Sequence, residues 1–258
     1  MFTGVAAVPA GAAEGDVSYS RISVNGGKPI VIGIQEEVTV PVTFRMTTSL
    51  KWDFAPMVYP YRGKLGGEDE DTLWTNIHNY DCEPAGRTGC DFHEELSIDP
   101  RYPNFGNEDA GTWKTAAYLA LPGDDYVVDD VHVPVQVQRA SRVTVNASPE
   151  PVVKGKTITV TGRVTRANWD THTYQAYAGR TVSLQFKADG ASAYTTVKKV
   201  TSSSTGALKT TVKAAKSGTW RWTYYGNSTS GAKSSTGDHV VVWSGVRVMR
   251  GPREMQAR

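Results

Sequence analysis

Read for period, the chain alternates. Short runs with an apolar or β-branched residue at every second position are separated by Gly, Pro, Ser and Asn turns, and no stretch sustains a helical period. In the first half the pattern predicts strands over Ser18–Val24, Glu37–Thr43, Met57–Tyr61, Phe92–Ile98, Thr112–Leu119 and Val131–Gln138. In the second half it predicts Arg142–Asn146, Thr157–Thr165, Thr181–Phe186, Thr195–Val200, Leu208–Lys213, Thr219–Tyr225 and His239–Trp243. Within the first half, Gly63–Gly89 is rich in Gly, Asp and Glu and reads as one elaborate loop. Val, Thr, Tyr and Trp supply the side chains that suit a half-buried pleated surface. An all-β chain of antiparallel sandwiches follows.

Two phrases recur in the same order. Arg21-Ile22-Ser23-Val24-Asn25 returns as Arg142-Val143-Thr144-Val145-Asn146, and Gly111-Thr112-Trp113-Lys114 returns as Gly218-Thr219-Trp220-Arg221. Two copies of one module is the simplest reading of such spacing. In each Gly-Thr-Trp phrase the Trp stands where an immunoglobulin-like sandwich enters its late central strand. Trp220, Trp222 and Tyr224 alternate on one side of theirs, which suits core packing and, as a rival, a sugar-binding row. The predicted architecture is two tandem immunoglobulin-like antiparallel β-sandwiches, over 16–139 and 142–243. Gln138-Arg139-Ala140-Ser141, with no Pro or Gly, is a short and semi-stiff joint.

Charge sharpens the division. The 258-residue chain has a formal net charge of +2, yet residues 1–140 sum to −11, residues 141–244 to +10 and the tail to +3. Such asymmetry speaks to partners more than to fold. The acidic half favours cations. The basic half favours an anionic cell-wall polymer, an extracellular protein, or contact between acidic and basic domains, within one molecule or between two. No nucleic-acid recognition motif is present.

Residues 1–15 are apolar and end like a small-residue cleavage site, without a basic n-region, so they read as a residual secretion signal or a disordered arm. Residues 244–258 carry four arginines and read as a disordered basic tail. No apolar run reaches the roughly 18 residues that span a bilayer. The two cysteines, Cys82 and Cys90, bracket a Pro- and Gly-containing interval and suit a local disulfide in an oxidising, extracellular setting; zinc would want four ligands. A bridged loop exposing Arg87 could also present itself to a trypsin-like protease, which is the inhibitor alternative.

From Val143 to Val152 the chain reads Val-Thr-Val-Asn-Ala-Ser-Pro-Glu-Pro-Val, then continues through Lys154-Gly155-Lys156-Thr157-Ile158-Thr159-Val160-Thr161-Gly162 and Thr165-Arg166-Ala167-Asn168-Trp169. Ser202-Ser203-Ser204-Thr205-Gly206-Ala207-Leu208-Lys209 follows, and Val24-Asn25-Gly26-Gly27-Lys28-Pro29 opens the first half. These stretches resemble an uncharacterised family of secreted actinobacterial proteins built from tandem immunoglobulin-like modules, often labelled calcium-binding proteins. The resemblance implies the sandwich fold, secretion and, through that label, calcium.

Calcium takes six to eight oxygens from flexible loops. The candidate ligands are Glu68, Asp69, Glu70 and Asp71 in the long loop, and Asp124, Asp125, Asp129 and Asp130 at the last hairpin of the acidic half. Neither set matches a spaced EF-hand loop, and adjacent carboxylates on a strand point to opposite faces. No other cofactor is implied. Glu94, Glu95 and Asp99 flank an apolar strand, but nothing pairs one against another for hydrolysis, and the histidines His78, His93, His132, His172 and His239 are scattered. There is no nucleophile elbow or phosphate-cradling loop. The reading is a secreted, non-catalytic binding or structural protein; the inhibitor is the rival and an undetected hydrolase comes third.

Overall fold

The computed structural model describes residues 17–82 and 89–245, without the side chains of Ile77 and His78. The predicted N-terminal arm, nearly all of the basic tail and Arg87 lie outside the described residues. The chain divides into two compact units. Unit 1 runs to Ser141 and also takes in Arg166–Gln175 and Gly226–Ala232; unit 2 holds Arg142–Thr165, Ala176–Tyr225 and the chain from Lys233 onward. Two stretches inside the predicted second domain thus belong by their contacts to unit 1.

Unit 1 is built from β1 (Val17–Val24), β2 (Ile30–Ile32), β3 (Val38–Thr48), β4 (Met57–Arg62), β5 (Asp71–Thr72), β6 (Thr75–Cys82), β7 (Cys90–Ile98), β8 (Gly111–Ala120), β9 (Tyr126–Asp130) and β10 (Val135–Arg139). One sheet has the order β1-β3-β7-β6; the other has β2-β10-β8-β4-β5, with β9 also on β8. Its pairs are antiparallel except β2 on β10, where Ile30 sits beside Val137. In immunoglobulin terms the sheets are A-B-E-D and A′-G-F-C-C′. The alternation in the sequence decides which side chains meet. Val40, Val42, Phe44 and Met46 of β3, Phe92, Leu96 and Ile98 of β7, and Trp113, Ala117 and Leu119 of β8 are buried in one core.

That core is completed from far along the chain. Trp169 is fully buried in it, its ring centroid 4.7 Å from that of Phe105. The indole N–H donates to the Gly33 carbonyl at 2.7 Å, and Arg139 Nε donates to the Ala167 carbonyl at 2.6 Å. Asn107 ties the same stretch down, donating to Asn168 Oδ1 at 2.9 Å and accepting from the Trp169 amide at 3.0 Å.

Unit 2 carries most of β11 (Ser141–Ser148), β12 (Val152–Val153), most of β13 (Thr157–Asn168), the end of β14 (Thr173–Ala176), β15 (Thr181–Ala188), β16 (Thr195–Thr201), β17 (Ala207–Lys213), β18 (Gly218–Tyr224), β19 (Lys233–Ser234), β20 (Asp238–Val240) and β21 (Val242–Trp243). One sheet joins β11, β13 and β17, with β14 beside β13; the other has the order β16-β15-β18-β19, with β20 on β18, and β12 pairs β21 in parallel. This is an A-B-E and C′-C-F-G sandwich. Trp220, Trp222 and Tyr224 all lie in its core, at 4%, 0% and 4% exposure, so core packing decides against the sugar-binding row. The Trp222 indole N–H donates to the Thr161 carbonyl at 3.0 Å. Arg21–Val24 and Arg142–Asn146 fall in β1 and β11, and the two Gly-Thr-Trp phrases open β8 and β18.

Two predicted features change. Gly63–Gly89 is not one loop, because β5 and β6 lie within it. The edge strand β6 escapes notice because its outward residues Asn76, Asn79 and Asp81 are polar and a bulge between Ile77 and Asn79 breaks its period. The predicted strand Val131–Gln138 is broken at residues 131–134, where His132 has φ 57° and Pro134 cannot donate to a ladder. The disulfide is present between Cys82 and Cys90, directly paired residues of the β6–β7 hairpin with Cα atoms 4.1 Å apart. It therefore clamps one edge hairpin and does not cross the sandwich as the B–F bridge of antibody domains does.

Candidate functional site

The inward side of β4 is set by Val58 and Pro60; the outward side carries Met57, Tyr59 and Tyr61. On β8 the outward residues include Lys114, Ala116 and Tyr118, and on β9 Tyr126, Val128 and Asp130 stand opposite Ala120, Tyr118 and Ala116. Period two thus gathers four tyrosines on the outer face of the second sheet of unit 1. Tyr59, Tyr61 and Ala116 form a second small core, distinct from the sandwich interior, with Leu65, Tyr118 and Val128 packed on it.

Leu65 arrives from the acidic loop that follows β4. That loop is self-braced: the Gly66 amide donates to Glu70 Oε2 at 2.7 Å and the Lys64 amide to Asp69 Oδ1 at 3.4 Å. One carboxylate fixes a phenol, the Tyr61 hydroxyl donating to Asp130 Oδ2 at 2.6 Å, and Glu70 adds its charge beside Tyr59. Burial raises both phenol pKa values first, and the neighbouring carboxylates add to the rise. Asp130 lies below its ordinary value: burial works to raise it and is outweighed by hydrogen bonds from Tyr61 and the His132 amide. Lys114 Nζ stands 5.3 Å over the Tyr61 ring.

Around these buried rings lie less buried ones. Tyr118 and Tyr126 stack with centroids 5.6 Å apart and remain half-buried. Trp74 is 54% exposed beside Tyr59, centroids 4.6 Å apart. Phe54 is 74% exposed, in a loop held to the end of β8 by the Asp53 amide bonding the Ala120 carbonyl. A partly exposed aromatic surface with the Asp130 carboxylate among its rings results. Sequence reading missed it because both sides of β4 are apolar, so no contrast of polarity told one face from the other.

The predicted calcium ligands are distributed over this unit. Glu68 and Asp69 are exposed, Asp69 turned back to the Lys64 amide, and Glu70 lies near Tyr59. Asp71 opens β5 opposite Arg62. Asp124, at φ 65°, and Asp125 form the β8–β9 turn, where the Asp125 carbonyl accepts the Leu121 amide at 2.8 Å. Asp129 and Asp130 occupy opposite faces of β9, opposite Ala117 and Ala116. Among the described residues no group of three or more His, Cys, Asp or Glu side chains is placed to hold a metal ion.

The other carboxylates of the apolar strand part company as well. Asp99 is gripped by Arg101 at 2.7 Å and drawn down to about 2, first by that hydrogen bond. Glu95 is exposed and points away from the core. Glu94 takes an inward position between Phe92 and Leu96 and is 2% exposed. Its Oε2 accepts the Val58 amide at 3.1 Å and the Thr75 hydroxyl at 2.9 Å, while its buried Oε1 has no hydrogen-bond partner. Burial pushes its pKa up to about 7 against those two hydrogen bonds. A cleft of about 200 Å³ elsewhere in unit 1 is lined by Asp71, Leu73, Tyr102, Phe105, Asp109 and Trp113. There Asp109 already caps the Gly106 amide at 2.7 Å and pairs with Arg62 at 3.5 Å.

No protein-family model matches the chain, and no curated protein does. Among solved structures, the D00-D0 domain of intimin is 14% identical with a TM-score of 0.27, covering 85% of this chain and 99% of that one. The chicken interferon gamma receptor alpha chain is 13% identical with a TM-score of 0.36, covering 92% of this chain and 99% of that one. The I67-I69 fragment of titin is 10% identical with a TM-score of 0.33, covering 88% of this chain and 65% of that one. The immunoglobulin-like assignment rests on the strand order above, and these likenesses add nothing about ligand or partner.

Proposed function

We propose that this is a secreted, non-catalytic binding protein built from two copies of one sandwich module, and that unit 1 binds a neutral polysaccharide on its tyrosine face. The observation that carries the reading is the group of accessible rings, Trp74 exposed and Tyr118 and Tyr126 half-buried, supported from beneath by the buried Tyr59 and Tyr61, with Asp130 holding the Tyr61 hydroxyl. Flat rings cover the apolar faces of sugars, and fixed carboxylates accept sugar hydroxyls. Tyr118 and Tyr126, already stacked on each other, lose little freedom on binding. The disulfide supports an oxidising compartment, and no helix among the described residues is long and apolar enough to cross a membrane.

Fluorescence titration of the full chain with soluble neutral glycans tests the reading. Trp74→Ala and Tyr118→Ala should each weaken binding roughly tenfold, as loss of an aromatic anchor does. Unchanged affinity in both variants would defeat it.

Calcium enters this proposal only as a weak ligand of the acidic surface, in the roughly millimolar range of extracellular modules. The melting temperature of unit 1 should then rise only at several times that concentration. A full shift at micromolar calcium would instead show a tight site and displace the glycan reading. The inhibitor alternative rests on Arg87, outside the described residues, and gains nothing from the hairpin clamp itself.

A further inference from the structure

We infer that the outward face of the β16-β15-β18 sheet in unit 2 is a binding site for an acidic polysaccharide, with Arg221 as its anchor. A buried amide organises this face. Gln185 is 7% exposed; its Oε1 accepts Arg221 Nε at 2.8 Å and the Thr223 hydroxyl at 2.9 Å, and its Nε2 donates to the Tyr225 hydroxyl at 3.0 Å. Thr223 in turn is hydrogen-bonded to Ser234 at 2.9 Å. Nothing in this network is ionic except the guanidinium it orients.

The guanidinium is fixed from above as well, with its Cζ 3.7 Å from the centroid of the Tyr194 ring. Lys187 Nζ lies 5.2 Å from the same ring. The register explains why both cations meet there: Gln185 pairs with Arg221 and Lys187 with Thr219, so Lys187 and Arg221 are diagonal neighbours on the outward side. Ser183 pairs with Lys199 on the adjacent strand, which extends the cationic row by one strand. Among the described residues neither Arg221 nor Lys187 pairs with a carboxylate. Asp189, beside this sheet, is engaged by His239 at 2.9 Å.

Two cations on one ring, unneutralised and held by a satisfied network, form a preorganised receptor for an anion. Arg221 Nε is occupied, which leaves the terminal nitrogens as a fork for the paired oxygens of a carboxylate or sulfate. The tyrosine ring beside it suits a sugar ring carrying that group. The surroundings favour a polymer over a single ion, since residues 141–244 sum to +10 and Lys198, Lys199 and Lys209 are exposed on this unit. The extracellular setting of the proposed function favours polysaccharide over nucleic acid. The site itself stands on unit 2 alone.

The test is binding of the full chain to oligogalacturonate and to dextran sulfate, with neutral dextran and duplex DNA as comparison ligands. Arg221→Gln should weaken binding of the acidic glycans roughly tenfold. Arg221→Lys should weaken it nearly as much, because the charge stays and the planar fork goes. Tyr194→Ala, which leaves the Gln185 network intact, should do the same, and a melting curve for each variant shows that unit 2 remains folded. Trp74→Ala should leave this binding unchanged, which separates the present inference from the unit 1 proposal. Wild-type affinity in Arg221→Lys would reduce the effect to diffuse charge and overturn the site. Tighter binding of DNA, equally sensitive to the variants, would overturn the polysaccharide assignment.

Discussion

Trp169→Ala should cost unit 1 roughly 3–5 kcal/mol, the range for removing a buried aromatic from a core. The residue is fully buried against Phe105, and its indole N–H satisfies the Gly33 carbonyl, so truncation leaves both a void and an unpaired acceptor. The signature is regional. Hydrogen exchange should accelerate in β2, β8 and β10 while the amides of β15 and β18 keep their protection. Loss of protection in β15 and β18 first would show that Trp169 serves unit 2 after all.

The second large effect concerns Glu94. A carboxyl whose pKa rises from 4.5 unfolded to about 7 folded binds more protons in the native state between those values. Its contribution is therefore fully present below about pH 4.5 and is lost as pH rises through about 7. A gap of that size corresponds to on the order of 3 kcal/mol. Glu94→Gln is neutral throughout. The variant should thus lose most of the fall in stability between pH 5 and pH 8, and should be the more stable protein at pH 8. Urea unfolding of both chains at the two pH values decides it. Parallel pH profiles would mean that the buried carboxyl is solvated or compensated in the native state.

These two residues also mark where the sequence could and could not be read. The sandwich class was legible because period two is strong in β3, β7, β8 and β18, and because each Gly-Thr-Trp phrase puts a Trp at an inward position of a central strand. Glu94 was legible in principle: it interrupts Phe92-x-Glu94-x-Leu96-x-Ile98 at a core position, and a charge there announces a burial cost. Its partners were not, since the Val58 amide and Thr75 come from the opposite sheet and from an edge strand whose polar face hides its period. Trp169 sits in a well-patterned stretch of the second half, and nothing local says that its ring completes the core of unit 1. The anionic-ligand site depends on register, which brings Lys187 diagonal to Arg221 from 34 positions away in sequence; composition showed only that the second half is basic.

The functional account turns on the tyrosine face of unit 1, and its most direct measurement is side-chain NMR of the full 28.0 kDa chain labelled at Tyr and Trp. Neutral oligosaccharides, titrated in, should shift the ring signals of Trp74, Tyr118 and Tyr126 together along one saturating curve, while those of Trp220, Trp222 and Tyr224 in the core of unit 2 stay still. Saturable binding that leaves the three unit 1 signals in place, or no shift with any neutral glycan, would contradict the account.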